Sequence, residues 1–113
     1  MSQQQTIMYG KLVRDRIPDI IEAEGCTAEV RVLDESELVP ALTAKLAEEA
    51  EELRQAEPAD RLGELADIYE VMAALAETLG FSERQIQEAA SHKRAERGGF
   101  SRRLWLDKVT SAG

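Results

Sequence analysis

KLAEEAEEL at residues 45–53 and GELADIYEV at residues 63–71 are the two segments whose periodicity sets the fold. Side chains three and four residues apart share one face of a helix, so Glu49 lies beside Glu52, Glu48 beside Glu52, and Glu64 beside Asp67. Outward from the first segment, Leu38, Leu42, Leu46 and Leu53 recur at spacings of four, four and seven. That draws one aliphatic stripe along a helix beginning near Asp34 or Ser36 and ending near Gln55. Pro40 falls early in it, either tolerated in that turn or marking a break. Outward from the second segment, Leu62, Leu65, Ile68, Tyr69, Met72, Leu75 and Leu79 cover an arc broad enough to meet more than one neighbour. Pro58 opens that helix and Gly80 ends it. Two long helices of near-equal length with a short join predict an antiparallel hairpin.

Beyond the hairpin the signals are shorter. A first helical stretch spans about residues 14–24 and stops at Gly25, with Pro18 making its first turn irregular. AEVRVL at residues 28–33 alternates Val30 and Val32 loosely with polar neighbours, the weak signature of one short strand. Ser82 followed by Gln85 is a capping box that opens a fourth helix, thin in apolar residues and fraying towards Gly98. The expected architecture is all-α, an antiparallel bundle of about four helices forming a single domain over residues 1–113.

A chain of 113 residues with 43% apolar and 32% charged residues is globular in composition, which excludes collagen-like and low-complexity disordered classes. Aromatic residues make up only 4%, so the core is aliphatic and thin for a monomer. A stripe buried against another copy is the consequence: a homo-oligomer, as a dimer or a dimer of dimers. Trp105, in RRLWL, is the expected packing anchor of the C-terminal segment, on its own chain or across a subunit boundary. No apolar run approaches the roughly 20 residues that cross a bilayer, and MSQQQTIMYG lacks the basic and apolar regions of a secretory signal. A cytoplasmic protein with no membrane partner is expected. Cys26 is the single cysteine, so no disulfide or cysteine-zinc framework forms within one chain.

The net charge of −8 argues against a general nucleic-acid partner. Its distribution is more telling. Residues 34–80 hold thirteen acids and three bases (−10), residues 1–33 five and four (−1), and residues 81–113 four and seven (+3). An acidic middle suits a divalent cation and the basic ends suit an anionic ligand.

Folding the hairpin can bring the two acidic pairs opposite one another. Four converging carboxylates repel and lose solvation, whereas a hard divalent ion accepts six or so oxygens and removes the repulsion. Magnesium is the natural choice. A lone Glu-rich helix segment is ordinarily a solvated face, since Glu is a good helix former. The second pair changes the balance, because Glu64 and Asp67 border an apolar stripe and Asp is no helix former. Glu51 faces solvent, while Glu70 continues the Glu64 and Asp67 face without a settled role. The bases fall in two groups: Lys11, Arg14 and Arg16, then Lys93, Arg94, Arg97, Arg102 and Arg103. Gly98-Gly99 serves either as a close approach for a phosphate or as a plain helix terminator. His92 sits on a polar helix as a surface residue, and no serine or cysteine stands in a nucleophile elbow or dyad.

YGKLVRDRIP (9–18), KLAEEAEEL (45–53), GELADIYEV (63–71) and KRAERGGF (93–100), in that order, resemble the all-alpha nucleoside triphosphate pyrophosphohydrolases of the MazG-like superfamily. The similarity is greatest to the small phosphoribosyl-ATP pyrophosphohydrolase-like, house-cleaning branch. It implies hydrolysis between the alpha and beta phosphates with Mg2+ or Mn2+, giving a nucleoside monophosphate and pyrophosphate. Glu49, Glu52, Glu64 and Asp67 are the metal ligands by that pattern, and Glu48 is the catalytic group, a further ligand or the one that orients or deprotonates the attacking water. Lys93 and Arg97, one turn apart, with Lys11, Arg14 and Arg16, are the candidates for a phosphate clamp. Two alternatives stay open: phosphoribosyl-ATP as the substrate, and a non-catalytic helical oligomer whose acidic face binds a basic partner. For the base, Tyr9, Tyr69, Phe81, Phe100 and Trp105 are all candidate walls.

Overall fold

Proline and capping chemistry set most of the helix ends in the computed structural model, which describes residues 4–113; the first three residues of MSQQQTIMYG lie outside the described residues. The elements are α1 (Ile17–Ala23), α2 (Glu35–Gln55), a 3-10 turn (Pro58–Asp60), α3 (Arg61–Leu79) and α4 (Glu83–Arg97). The residues up to Gly80 form one compact unit and Phe81–Gly113 a second. No helix among the described residues is long and apolar enough to cross a membrane.

α1 is shorter than the expected span of residues 14–24. Pro18 has no N–H and is best accommodated in a first turn, and α1 opens at Ile17 so that Pro18 falls there and gives up no intrahelical bond. The Ile17 N–H instead closes a turn onto the Arg14 carbonyl at 3.1 Å. The expected strand over residues 28–33 does not form, and no strand occurs among the described residues. A strand needs a ladder partner. Here Val30 and Val32 are exposed, while Arg31 grips the Glu37 carboxylate through both oxygens at 3.1 and 3.4 Å, making the segment a lead-in to α2.

Asp34 caps α2, its N–H donating to Glu37 Oε1 at 3.2 Å. The helix continues through Pro40, in its second turn, without a break, giving up the backbone bond a Pro40 N–H would have made. Pro58 opens a 3-10 turn rather than α3 itself. Gly80 ends α3 in the left-handed conformation at φ 83°, as a C-terminal glycine does. In the second unit the Ser82–Gln85 capping box is complete: the Gln85 N–H donates to Ser82 Oγ at 3.1 Å and the Ser82 N–H to Gln85 Oε1 at 2.8 Å. Gly98 closes α4 at φ 81°, so this glycine is a helix terminator. Trp105 is 87% exposed and does not anchor the C-terminal segment on its own chain.

α2 and α3 pack against each other, with the start of α2 (Glu35, Leu38, Val39) beside the end of α3 (Glu77, Thr78), as an antiparallel hairpin requires. The hairpin's buried apolar side chains are Leu42, Val71 and Ala76, and no side chain in the described chain is fully enclosed. Leu38, Leu46, Leu53, Ile68 and Leu75 are half-buried around them. The outer side of α3 keeps Leu62, Leu65, Tyr69, Met72 and Leu79 exposed.

Candidate metal centre

One position in the α2 stripe departs from the aliphatic rule. Between Leu46 and Leu53, where another leucine would continue the spacing of three and four, stands Glu49, only 6% exposed. On α3 the side that carries Val71 continues towards the connecting turn as Asp67 and Glu64, both half-buried. The hairpin therefore has apolar layers at one level and a carboxylate layer nearer its turn.

Within that layer Glu49, Glu64 and Asp67 each offer a carboxylate oxygen, all within 4.8 Å of one another, and Glu48, Glu49 and Glu52 form a second such group on α2. Glu49 belongs to both. The sequence-predicted ligands Glu49, Glu64 and Asp67 are thus brought together across the hairpin, while Glu52 is exposed and joins through Glu49 and Glu48. Glu49 Oε2 and Glu64 Oε2 are buried without a hydrogen-bond partner. An orphaned carboxylate oxygen out of water is costly, and this layer holds two of them. An all-oxygen set of this kind fits a hard divalent cation.

The surrounding cations divide unevenly. Lys11 Nζ donates to Glu48 Oε1 at 3.1 Å and lies 5.8 Å from the centre of the Tyr9 ring. Arg14 Nη2 donates to Asp67 Oδ1 at 2.7 Å. Lys45, which sequence reasoning passed over, is the most enclosed of them and stands 3.4 Å from Glu48 Oε2 and 3.5 Å from Glu49 Oε1. Its signal was its spacing, three and four residues before the two glutamates on the same helix. Arg16 N-caps α1, is exposed, and makes no ion pair among the described residues. Lys93 and Arg97 lie one turn apart on α4, exposed, in the unit that begins at Phe81. Glu51 faces solvent and is held by Arg54 at 2.6 and 2.9 Å. His92 is exposed, 3.6 Å from Glu96.

Burial pushes the Glu49 carboxyl above the ordinary glutamate range, with neighbouring Glu52 adding to the effect and Lys45 opposing it. The hydrogen bond from Lys11 holds Glu48 below that range. The two act oppositely on stability. Glu49 favours the fold at low pH and loses that contribution as pH rises through its folded pKa. Glu48 stabilises the fold above its unfolded pKa and loses that as pH falls through its lowered one.

No family model and no solved structure matches the chain. Over 50 residues it is 52% identical to an uncharacterized protein of Mycolicibacterium smegmatis, a match covering 44% of this chain and 51% of that protein. The matched stretch thus spans about half the length of that relative, whose name carries no activity.

Proposed function

We propose that this protein is a Mg2+-dependent nucleoside triphosphate pyrophosphohydrolase of the MazG-like class, acting between the alpha and beta phosphates of non-standard nucleotides. The observation that carries the proposal is the buried Glu49, with one oxygen unpartnered, facing Glu64 and Asp67 from the opposite helix. Glu49, Glu52, Glu64 and Asp67 would hold the ion, Mg2+ or Mn2+. When bound, such an ion neutralises phosphate charge and lowers the pKa of a water.

The remaining work falls to the chain itself. Glu48, only half-exposed and paired with Lys11 in the metal-free chain, is an acceptor able to orient a water and take its proton. The water oxygen bonds to the alpha phosphorus, the bridging oxygen leaves with pyrophosphate, and no covalent enzyme intermediate forms. Lys11 and Arg14, at the edge of the carboxylate layer, would meet phosphate oxygens, and Arg16 is a further candidate for that task.

The test is pyrophosphate detection on a panel of standard, deoxy, oxidised and phosphoribosylated triphosphates with added MgCl2. Nucleoside monophosphate and pyrophosphate in equal amounts are expected. Turnover confined to phosphoribosyl-ATP would move the protein to that substrate, and no release from any member would leave a non-catalytic acidic oligomer. Calorimetry with MgCl2 adds a pH test. Because the Glu49 carboxyl is held above the ordinary range, cation binding is expected to weaken on acidification before an ordinary glutamate would protonate. A binding curve flat down to the ordinary range would contradict Glu49 as a ligand.

The proposal includes self-association, as a dimer or a dimer of dimers. Its support is the contrast between the few buried apolar residues and the exposed row of Leu62, Leu65, Tyr69 and Met72 on α3.

A further inference from the structure

Residues 10–14 have neither helix nor strand, yet they cross the hairpin at the level of its carboxylate layer. Lys11 reaches Glu48 on α2 and Arg14 reaches Asp67 on α3, with Leu12 and Val13 half-buried between them. The spacing has a geometric reason. Three steps of extended backbone cover about 10 Å, which matches the roughly 8–10 Å between the axes of packed helices. A Lys-x-x-Arg segment laid across the hairpin therefore delivers one cation to each helix.

We infer that residues 10–14 are a two-headed cationic strap: Lys11 and Arg14 occupy the rim of the carboxylate pocket in the metal-free protein and transfer from Glu48 and Asp67 to substrate phosphates once a divalent ion is held. The inference rests on the pyrophosphohydrolase proposal and extends it to the order of events. Charge balances in the exchange, since two single positive charges withdraw as one double charge arrives. The strap is an incomplete substitute, because it leaves the buried Glu49 Oε2 and Glu64 Oε2 without partners. It also leaves readily. In the Lys11–Glu48 pair the side chains are 41% and 31% exposed, and in the Arg14–Asp67 pair 56% and 41%. Pairs this wet hold weakly in water, whereas phosphate oxygens offer several acceptors at once.

The experiment is calorimetry on the full chain with MgCl2 alone, then with inorganic pyrophosphate in the presence of MgCl2, for wild type, Lys11→Met and Arg14→Met. Each variant is expected to bind Mg2+ about two- to five-fold more tightly than wild type, because a weak competing cation is gone, and to bind pyrophosphate more weakly. Two opposite signs from one substitution are the signature, since a residue that merely supports the fold would weaken both. Trypsin supplies a second readout: MgCl2 alone should speed cleavage after Lys11 in wild type, and added pyrophosphate should slow it again. If Arg14→Met does not fold, Lys11→Met and the cleavage measurement decide the matter. Mg2+ binding by wild type that Lys11→Met leaves unchanged or weaker overturns the strap and leaves the pyrophosphohydrolase proposal standing. Absence of Mg2+ binding by wild type removes both.

Discussion

Glu49→Gln is expected to lower pyrophosphate release by about three orders of magnitude and, in the same protein without added metal, to raise the thermal midpoint. The first effect follows from the ligand set. Glu49 is the one carboxylate common to both acidic groups, and it faces α3 from within the hairpin. A bound divalent ion contributes several kcal/mol of charge stabilisation, and each ~1.4 kcal/mol is a factor of ten in rate. The second effect has the opposite sign because glutamine carries no charge to desolvate and no repulsion towards Glu52 and Asp67. Removing a buried carboxylate whose pairing with Lys45 still leaves one oxygen unpartnered is worth about 1 kcal/mol, or roughly 3–6 °C for a domain of this size. Calorimetric melting in a chelator, beside a pyrophosphate assay, reads both. Full activity in the variant would remove the proposed site, and a lower midpoint would assign Glu49 a structural role instead. Asp67→Asn offers a contrast: activity is expected to fall similarly, but Arg14 loses its charged partner, so no gain in midpoint accompanies it.

Leu65→Glu is expected to abolish self-association at micromolar concentration while leaving the hairpin folded. Leu65 is 52% exposed on the outer side of α3, so the packing of α2 on α3 does not depend on it. In a two-fold interface each residue counts twice. Burying the exposed half of this leucine is worth about 0.8–1.5 kcal/mol, so the substitution removes about 1.5–3 kcal/mol of association and weakens it roughly 10–10²-fold, to which the cost of burying the introduced charge adds. Sedimentation velocity across a concentration series measures this directly. A wild-type chain that sediments as a monodisperse 12.5 kDa monomer would overturn the self-association proposal. Leu42→Ala is the control, because Leu42 is 5% exposed within the hairpin and its loss costs the fold about 2–5 kcal/mol whatever the oligomeric state.

The helical elements were legible because their signals are local. Ser82 with Gln85, Gly80, Gly98 and the leucine periodicity of α2 each act within a few residues, and each appears where local chemistry puts it. Two of the departures have different causes. Pro18, inside its own segment, trimmed α1 through local backbone chemistry, whereas the strand over residues 28–33 lacks a ladder partner, which its own pattern could not supply. Glu49 lies between these cases. Its place in the stripe between Leu46 and Leu53 was readable, but its burial depends on α3 covering it.

Local chemistry along the chain thus settled that α2 and α3 exist, where they stop, and that Glu48, Glu49, Glu52, Glu64 and Asp67 lie on particular faces, since helix periodicity ties residue number to direction. Packing decided the rest: that Glu49 meets Glu64 and Asp67 while Glu52 stays in water, that Lys45 is drawn in beside them, and that Lys11 and Arg14 pair with carboxylates. Those outcomes depend on how one helix lies against another and where a segment without regular structure crosses them, distances over which a sequence pattern carries no metric information.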